Sequence, residues 1–105
     1  MQASELLRRI QSNDAPVVVD ARSPIEFQRG HIPGAVNAPV WKVLFRTAPM
    51  PADKNREMVI ACMHGQRAWL VRKVLALQGY RNLAFLEGFL EEWLNAGLPW
   101  EKPGA

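Results

Sequence analysis

The chain has 105 residues, of which 49% are hydrophobic and 22% charged, with a formal net charge of +3, a pI near 9.5 and one cysteine. This length holds one domain, residues 1–105, whose single core buries roughly 65% of the unfolded chain's surface; the apolar content excludes a disordered chain. A lone cysteine excludes a disulfide-stapled secreted scaffold, and Cys62 with His31 and His64 falls short of the roughly four ligands of a structural zinc site.

The N-terminal stretch MQASELLRRIQSND has no apolar core of the signal-peptide kind. Leu6, Leu7 and Ile10 share one face and predict a helix over Ser4–Ser12, ended by Asn13, Asp14 and Pro16. Val17-Val18-Val19 is a continuous β-branched run, the pattern of a strand buried on both faces. Ser23-Pro24-Ile25-Glu26 is a helix start: Ser23 caps, Pro24 suits the first helical position, Glu26 completes a capping box, and Gly30 stops the helix. Ala35–Asn37 predicts a second short strand and Val40–Arg46 a short helix, and Thr47–Arg56, with Pro49 and Pro51, reads as a loop. Met58–Ala61 predicts a third buried strand. Ala68–Gln78 predicts a helix with Leu70, Val71, Val74, Leu75 and Leu77 in a wide apolar stripe, closed by Gly79. Leu83–Leu86 predicts a fourth strand, and Phe89–Asn95 a last helix closed by Gly97 and Pro99.

Strands alternating with helices predict a three-layer α/β fold: a short parallel sheet of about four strands, helices on both faces and right-handed crossovers. Ligands in such folds bind beyond the carboxyl ends of the strands, here after Asp20, Asn37 and Ala61. The longest stretch free of Asp, Glu, Lys and Arg, Gly30–Trp41, is broken by Pro33 and Pro39 and falls far short of the ~20 apolar residues that span a bilayer. No membrane partner and a cytoplasmic location are therefore expected. The basic residues are dispersed, so no nucleic-acid partner is expected. No Walker or dinucleotide glycine pattern is present, so neither ATP nor NAD is implied.

The third strand end carries the cysteine, in Ala61-Cys62-Met63-His64-Gly65-Gln66-Arg67-Ala68. Six residues, Cys62 to Arg67, are expected to connect strand to helix. Gly65 permits a tight loop with inward-pointing N–H groups, and the following helix adds unpaired N–H groups and its positive dipole end. That cradle favours a thiolate on Cys62, or an anionic group bonded to it, and so a nucleophile. Arg67 adds a fixed forked charge. The ordinary alternative is that Cys62 is a small buried hydrophobe. His64 is open between polarising the thiol, binding substrate and simple solvation.

The segment from Asp20 to Pro39 carries Asp20-x-Arg22, Glu26-Phe27 and Gly30-His31-Ile32-Pro33-Gly34-Ala35-x-Asn37-x-Pro39. Together with Leu86-Glu87-Gly88-Phe89, Trp93 and Gly97-Leu98-Pro99, it resembles the signature of rhodanese domains, over about residues 4–100. The resemblance implies a rhodanese-like fold and a sulfurtransferase that moves a sulfane sulfur from a small anionic donor such as thiosulfate to a thiophilic acceptor: cyanide, a thiol or a partner protein. It makes Cys62 the nucleophile and persulfide carrier and Met63, His64, Gly65, Gln66 and Arg67 the loop whose amides stabilise it. Asp20 and Arg22 match a supporting pair near that loop, with Asp20 positioned to accept loop or arginine hydrogen bonds and Glu26 within helical reach of Arg22. No metal or organic cofactor is implied.

The chain departs from the family in three ways. Longer-known members carry an extra strand before the first helix, so a four-stranded sheet, or a chain cut from something longer, is expected. The closing motif usually has two adjacent glycines, and Phe89 stands at the second. The loop has no second basic residue of the kind found in some thiosulfate-using members; Met63 and Gln66 are neutral. Two alternatives accompany the sulfurtransferase: a sulfur-carrier or regulatory module with little turnover, and a cysteine phosphatase or arsenate reductase. Phosphatases of this fold class resemble Cys-x5-Arg, whereas Cys62 and Arg67 form Cys-x4-Arg, a cradle sized for sulfur rather than for phosphate.

His31 reads as a turn histidine bonded to backbone rather than a base. Trp41, Trp69, Trp93 and Trp100 are expected in core or edge packing, with Trp69 a candidate for the pocket mouth. Arg72-Lys73 reads as a solvated helix face, or as a docking patch for an acidic partner.

Overall fold

The two β-branched or apolar runs become the central strands, because only a strand with neighbours on both sides and helices on both faces can bury such runs completely. The computed structural model describes residues 1–102. In chain order the elements are α1 (Ala3–Gln11), β1 (Val17–Asp20), α2 (Pro24–Arg29), β2 (Val36–Asn37), α3 (Val40–Leu44), β3 (Met58–Ala61), α4 (Gln66–Leu77), β4 (Leu83–Phe85) and α5 (Phe89–Asn95). The sheet order is β2-β1-β3-β4, all parallel, so the expected α/β architecture with four strands is the observed one.

Where a single core was expected, alternation along the strands builds two, because the sheet buries both of its faces. Val19, Met58, Ile60 and then Cys62 face Val43 of α3 and Ala68, Val71 and Leu75 of α4. Val18, Val59 and Ala61 face Leu6 of α1 and Leu90 and Trp93 of α5. The same alternation carries into the loop after β3, where Met63 packs with the second core, on the opposite side from Cys62.

The capping box at α2 forms as expected: Ser23 Oγ accepts from the Glu26 N–H while the Glu26 carboxylate accepts from the Ser23 N–H. Two features of α4 differ from expectation. It begins at Gln66, two residues early, because Gly65 adopts a left-handed φ of +103° and serves as its N-cap; the connection from β3 is therefore Cys62–Gly65. Its apolar stripe is also narrower. Ala68, Val71 and Leu75 are buried, whereas Leu70 and Leu77 stand exposed, because only one side of the helix meets the sheet and α3 covers only part of the next.

Candidate active site

In-register pairing of Asp20 with Ala61 sets the carboxyl ends of β1 and β3 side by side, and the Ala21 N–H donates to the Ala61 carbonyl at 2.8 Å. Cys62 follows immediately and is 1% exposed. Its Sγ accepts from the Gly65 N–H at 2.9 Å and from the Ala68 N–H at 3.4 Å. Ala68 is the third residue of α4, and its N–H has no carbonyl partner within the helix. Gly65, the N-cap residue, has no side chain to accept it, so the Cys62 sulfur takes the place of a capping oxygen. Both amides aim partial positive charge at the sulfur, an arrangement that favours negative charge on it or on a group bonded to it.

The loop backbone is fixed from behind by α5, whose Leu90 and Glu91 N–H groups donate to the carbonyls of Cys62 (3.0 Å) and Met63 (3.3 Å). Phe89, at the position where the family resemblance leads one to expect glycine, takes a left-handed φ of +54°. Its ring lies so close to Gly65 that a Cβ added there would sit 2.6 Å from the ring. Gly65 is thus required twice, for its backbone conformation and for the space that the Phe89 ring fills.

The remaining expected loop residues divide. Arg67 turns to Glu26: both guanidinium ends donate to the carboxylate, one pair at 3.2 Å and the other closer still. This bond to Arg67 holds the Glu26 carboxyl far below its ordinary value of 4.5, at about 2, with help from Ser23. Arg67 is raised in turn, chiefly by Glu26 and to a lesser degree by the nearby Cys62 and Asp20. The predicted Arg22–Glu26 pair does not form, because Arg22 precedes α2 rather than lying on it. The His64 side chain is 65% exposed and approaches Glu91 at 3.3 Å, and it makes no hydrogen bond to the thiol. Gln66 is exposed, and Met63 contributes its backbone carbonyl and a packed side chain. Among the described residues the amides bonded to Sγ are those of Gly65, one of the expected loop residues, and Ala68, from the helix start whose unpaired N–H groups were expected to contribute; those of Met63, His64, Gln66 and Arg67 do not bond it.

Asp20 and Arg22 form a buried bidentate pair, at 3.0 Å through Nε and 2.8 Å through Nη2. Arg22 also donates to the Gly30 carbonyl at 2.7 Å and lies over the Trp100 ring. Asn37 Nδ2 closes the same corner by donating to the Arg22 carbonyl at 2.8 Å. Neither Asp20 nor Arg22 bonds the cysteine loop through its side chain; of the two partners expected for Asp20, loop or arginine, it takes the arginine, two residues on.

His31 is the backbone-bonded histidine expected: Nδ1 lies 3.0 Å from the Phe27 carbonyl and the ring stacks on Phe27. Trp93 is a core residue and Trp100 packs at the edge of the second core, but Trp41 and Trp69 are half exposed. A cavity of about 160 Å³, lined by Ala21, Ser23, Pro39, Val40, Trp41, Arg67 and Leu70, lies against the β1 end and the first turns of α4. Trp41, not Trp69, forms its wall. Missed in the sequence were Glu26 as the partner of Arg67 and Phe89 as the wall of Gly65. Only Phe89 left a signal, as an unexpected bulky residue. No group of three or more His, Cys, Asp or Glu that could hold a metal ion occurs among the described residues, and none of their helices is long and apolar enough to cross a membrane.

A family model described as "Rhodanese-like domain" matches residues 2–96. A sulfurtransferase of Allochromatium vinosum is 31% identical over 98% of this chain and 94% of its own length. The thiosulfate:glutathione sulfurtransferase of Saccharomyces cerevisiae is 28% identical over 89% of this chain and 76% of its own. Among solved structures, a human single-domain sulfurtransferase superposes with a TM-score of 0.77 at 26% identity, covering 90% of this chain and 94% of that one.

Proposed function

The chain belongs to the rhodanese-like domain family, whose named relatives here are sulfurtransferases, and from that premise we propose that it carries a sulfane sulfur as a persulfide on Cys62. The observation that carries this reading is the Cys62 sulfur at the meeting point of the Gly65 and Ala68 amides, backed by α4 and by Arg67.

The Cys62 thiolate attacks the outer sulfur of a thiosulfate-like dianion; a new S–S bond forms, the donor's S–S bond breaks, and sulfite leaves with the electron pair. The N–H groups of Gln66 and Arg67 have no carbonyl partner within α4, so the added sulfur has donors to meet. Cyanide or a thiolate then attacks that outer sulfur, the persulfide bond breaks, and its electron pair returns to Cys62. With one cysteine in the chain, the sulfur leaves to an external acceptor rather than through an internal disulfide. The scheme uses no metal or organic cofactor. A reducing cytoplasm suits a lone thiol of this kind.

One observation favours the second reading, a carrier module with little thiosulfate turnover. Glu26 already occupies the guanidinium of Arg67, so a dianionic donor competes with an internal carboxylate. Intact-mass measurement after thiosulfate treatment tests the scheme. An adduct of one sulfur atom, removed by cyanide and absent in Cys62→Ser, is expected. Protein that gains no sulfur from any sulfane donor, or that hydrolyses an aryl phosphate instead, overturns it.

A further inference from the structure

The exposed large apolar side chains are not scattered. Six of the eight lie on α3, its C-cap or α4: Trp41, Leu44, Phe45, Trp69, Leu70 and Leu77, with Phe45 at 76% and Leu77 at 85% exposure. A monomer gains nothing by gathering apolar surface on one pair of helices, and such gathering marks a binding surface. The charges that α3 and α4 themselves carry are of one sign. No Asp or Glu occurs between Gly30 and Ala52 or between Met58 and Leu86, segments that contain both helices. Two of the cations stand against the exposed aromatics: Lys42 Nζ lies 5.5 Å from the Trp41 ring centre and Lys73 Nζ 4.4 Å from that of Trp69. Arg72, the other half of the sequence pair, turns away to the Phe85 ring. At its inner end the face runs into the 160 Å³ cavity, whose walls include Trp41, Leu70 and Arg67.

We infer that the outer face of α3 and α4 docks an acidic polypeptide segment that presents the accepting thiol to Cys62, with one apolar side chain seated in the Trp41–Leu70 cavity. The inference rests on the sulfur-transfer reading and names its acceptor. A second copy of this chain is disfavoured because it would bring the same two helices, which carry cations and no acid of their own, and a net charge of +3, against their like. A planar bilayer has nothing to place in a recessed cavity, whereas a polypeptide supplies an anchor side chain and carboxylates together. The step balances without an outside oxidant or reductant. The segment's thiolate attacks the outer sulfur of the Cys62 persulfide, the Cys62–sulfur bond breaks, the persulfide moves to the segment, and Cys62 leaves as thiolate.

The probe is a glutamate-rich peptide with a Leu-Trp pair beside a single cysteine, compared with the same peptide bearing lysines for glutamates or serines for Leu-Trp. Binding is read by fluorescence anisotropy with the peptide cysteine replaced by serine, so that it does not depend on sulfur loading. Transfer is read as kcat/KM from persulfide-loaded protein to the cysteine peptide. Each of Phe45→Ser and Lys73→Glu is expected to weaken both readings about tenfold, ~1.4 kcal/mol, while transfer to cyanide is unchanged; added salt is expected to weaken the glutamate peptide's advantage. Equal binding of the glutamate and lysine peptides overturns the inference. So does tighter binding to phosphatidylserine vesicles or single-stranded DNA, or a dimer that Phe45→Ser dissolves. Peptide binding without any sulfur loading strikes the transfer reading alone; loading without peptide preference strikes the docking face alone.

Discussion

The ends of β1 and β3 lie side by side in register, yet they solve opposite problems. After β1, Asp20 and Arg22 are buried and mutually saturated, with Gly30 taking a further guanidinium hydrogen. After β3, the Cys62 sulfur is equally buried but meets only two amides, and two more N–H groups in the first turn of α4 have no partner within the helix. A saturated corner resists change and a partly saturated one accepts a ligand. Buried charge next to a strand end is therefore not itself a sign of chemistry; unspent donors around a nucleophile are.

Substitutions separate the two ends. The largest effect belongs to Cys62→Ser, which is expected to abolish sulfur loading by mass while leaving urea unfolding within ~1 kcal/mol of wild type, since the hydroxyl can still accept from Gly65 and Ala68. Equal activity in this variant would move the chemistry elsewhere. Asp20→Ala is the reverse case. It leaves Arg22 buried without its carboxylate and is expected to cost about 3–5 kcal/mol, read as a lower urea midpoint, while the fraction that remains folded still loads sulfur. A well-folded but inactive Asp20→Ala protein would make the β1 corner part of the reaction.

Gly65→Ala lies between them. The added Cβ strains a left-handed residue and meets the Phe89 ring, displacing one of the two amides on Sγ. A loss of about 100-fold in sulfur-transfer rate is expected, with ~1–3 kcal/mol of stability. Pairing it with Phe89→Gly should restore part of the stability by giving the Cβ room; no rescue would show that backbone strain alone is responsible.

The smallest effects concern Glu26. Glu26→Gln frees Arg67 and is expected to lower KM for thiosulfate a few-fold with little change in kcat; an unchanged or higher KM would mean that the guanidinium does not bind the donor. Because the folded value of Glu26, about 2, lies below its ordinary 4.5, the ion pair stabilises the fold fully above pH 4.5 and is lost as pH falls towards 2. Glu26→Gln should therefore flatten acid unfolding in that window and nowhere above it. The pair is partly exposed, so the change is small.

Much of the fold was legible because its signals are local. The runs Val17–Val19 and Met58–Ala61, the Ser23–Glu26 capping box and Gly79 after α4 each state their structure within a few residues. Errors arose where a distant residue decided. Leu70 and Leu77 match a helical stripe but remain exposed, since the sheet and α3 cover only part of α4. Arg22 and Glu26 are close in sequence, yet each finds a different partner once the chain bends at Ser23.

The sequence by itself determined the element order, the parallel sheet and the position of the lone cysteine at a strand end, because hydrophobic period, caps and glycines act over short distances. Tertiary structure decided which groups meet the sulfur and what surrounds it. The Ala68 amide, the Glu26–Arg67 pair, the Phe89 ring against Gly65 and the cationic apolar face of α3 and α4 all join residues from separate elements. Such contacts depend on register and helix rotation, which are fixed only when the whole core packs.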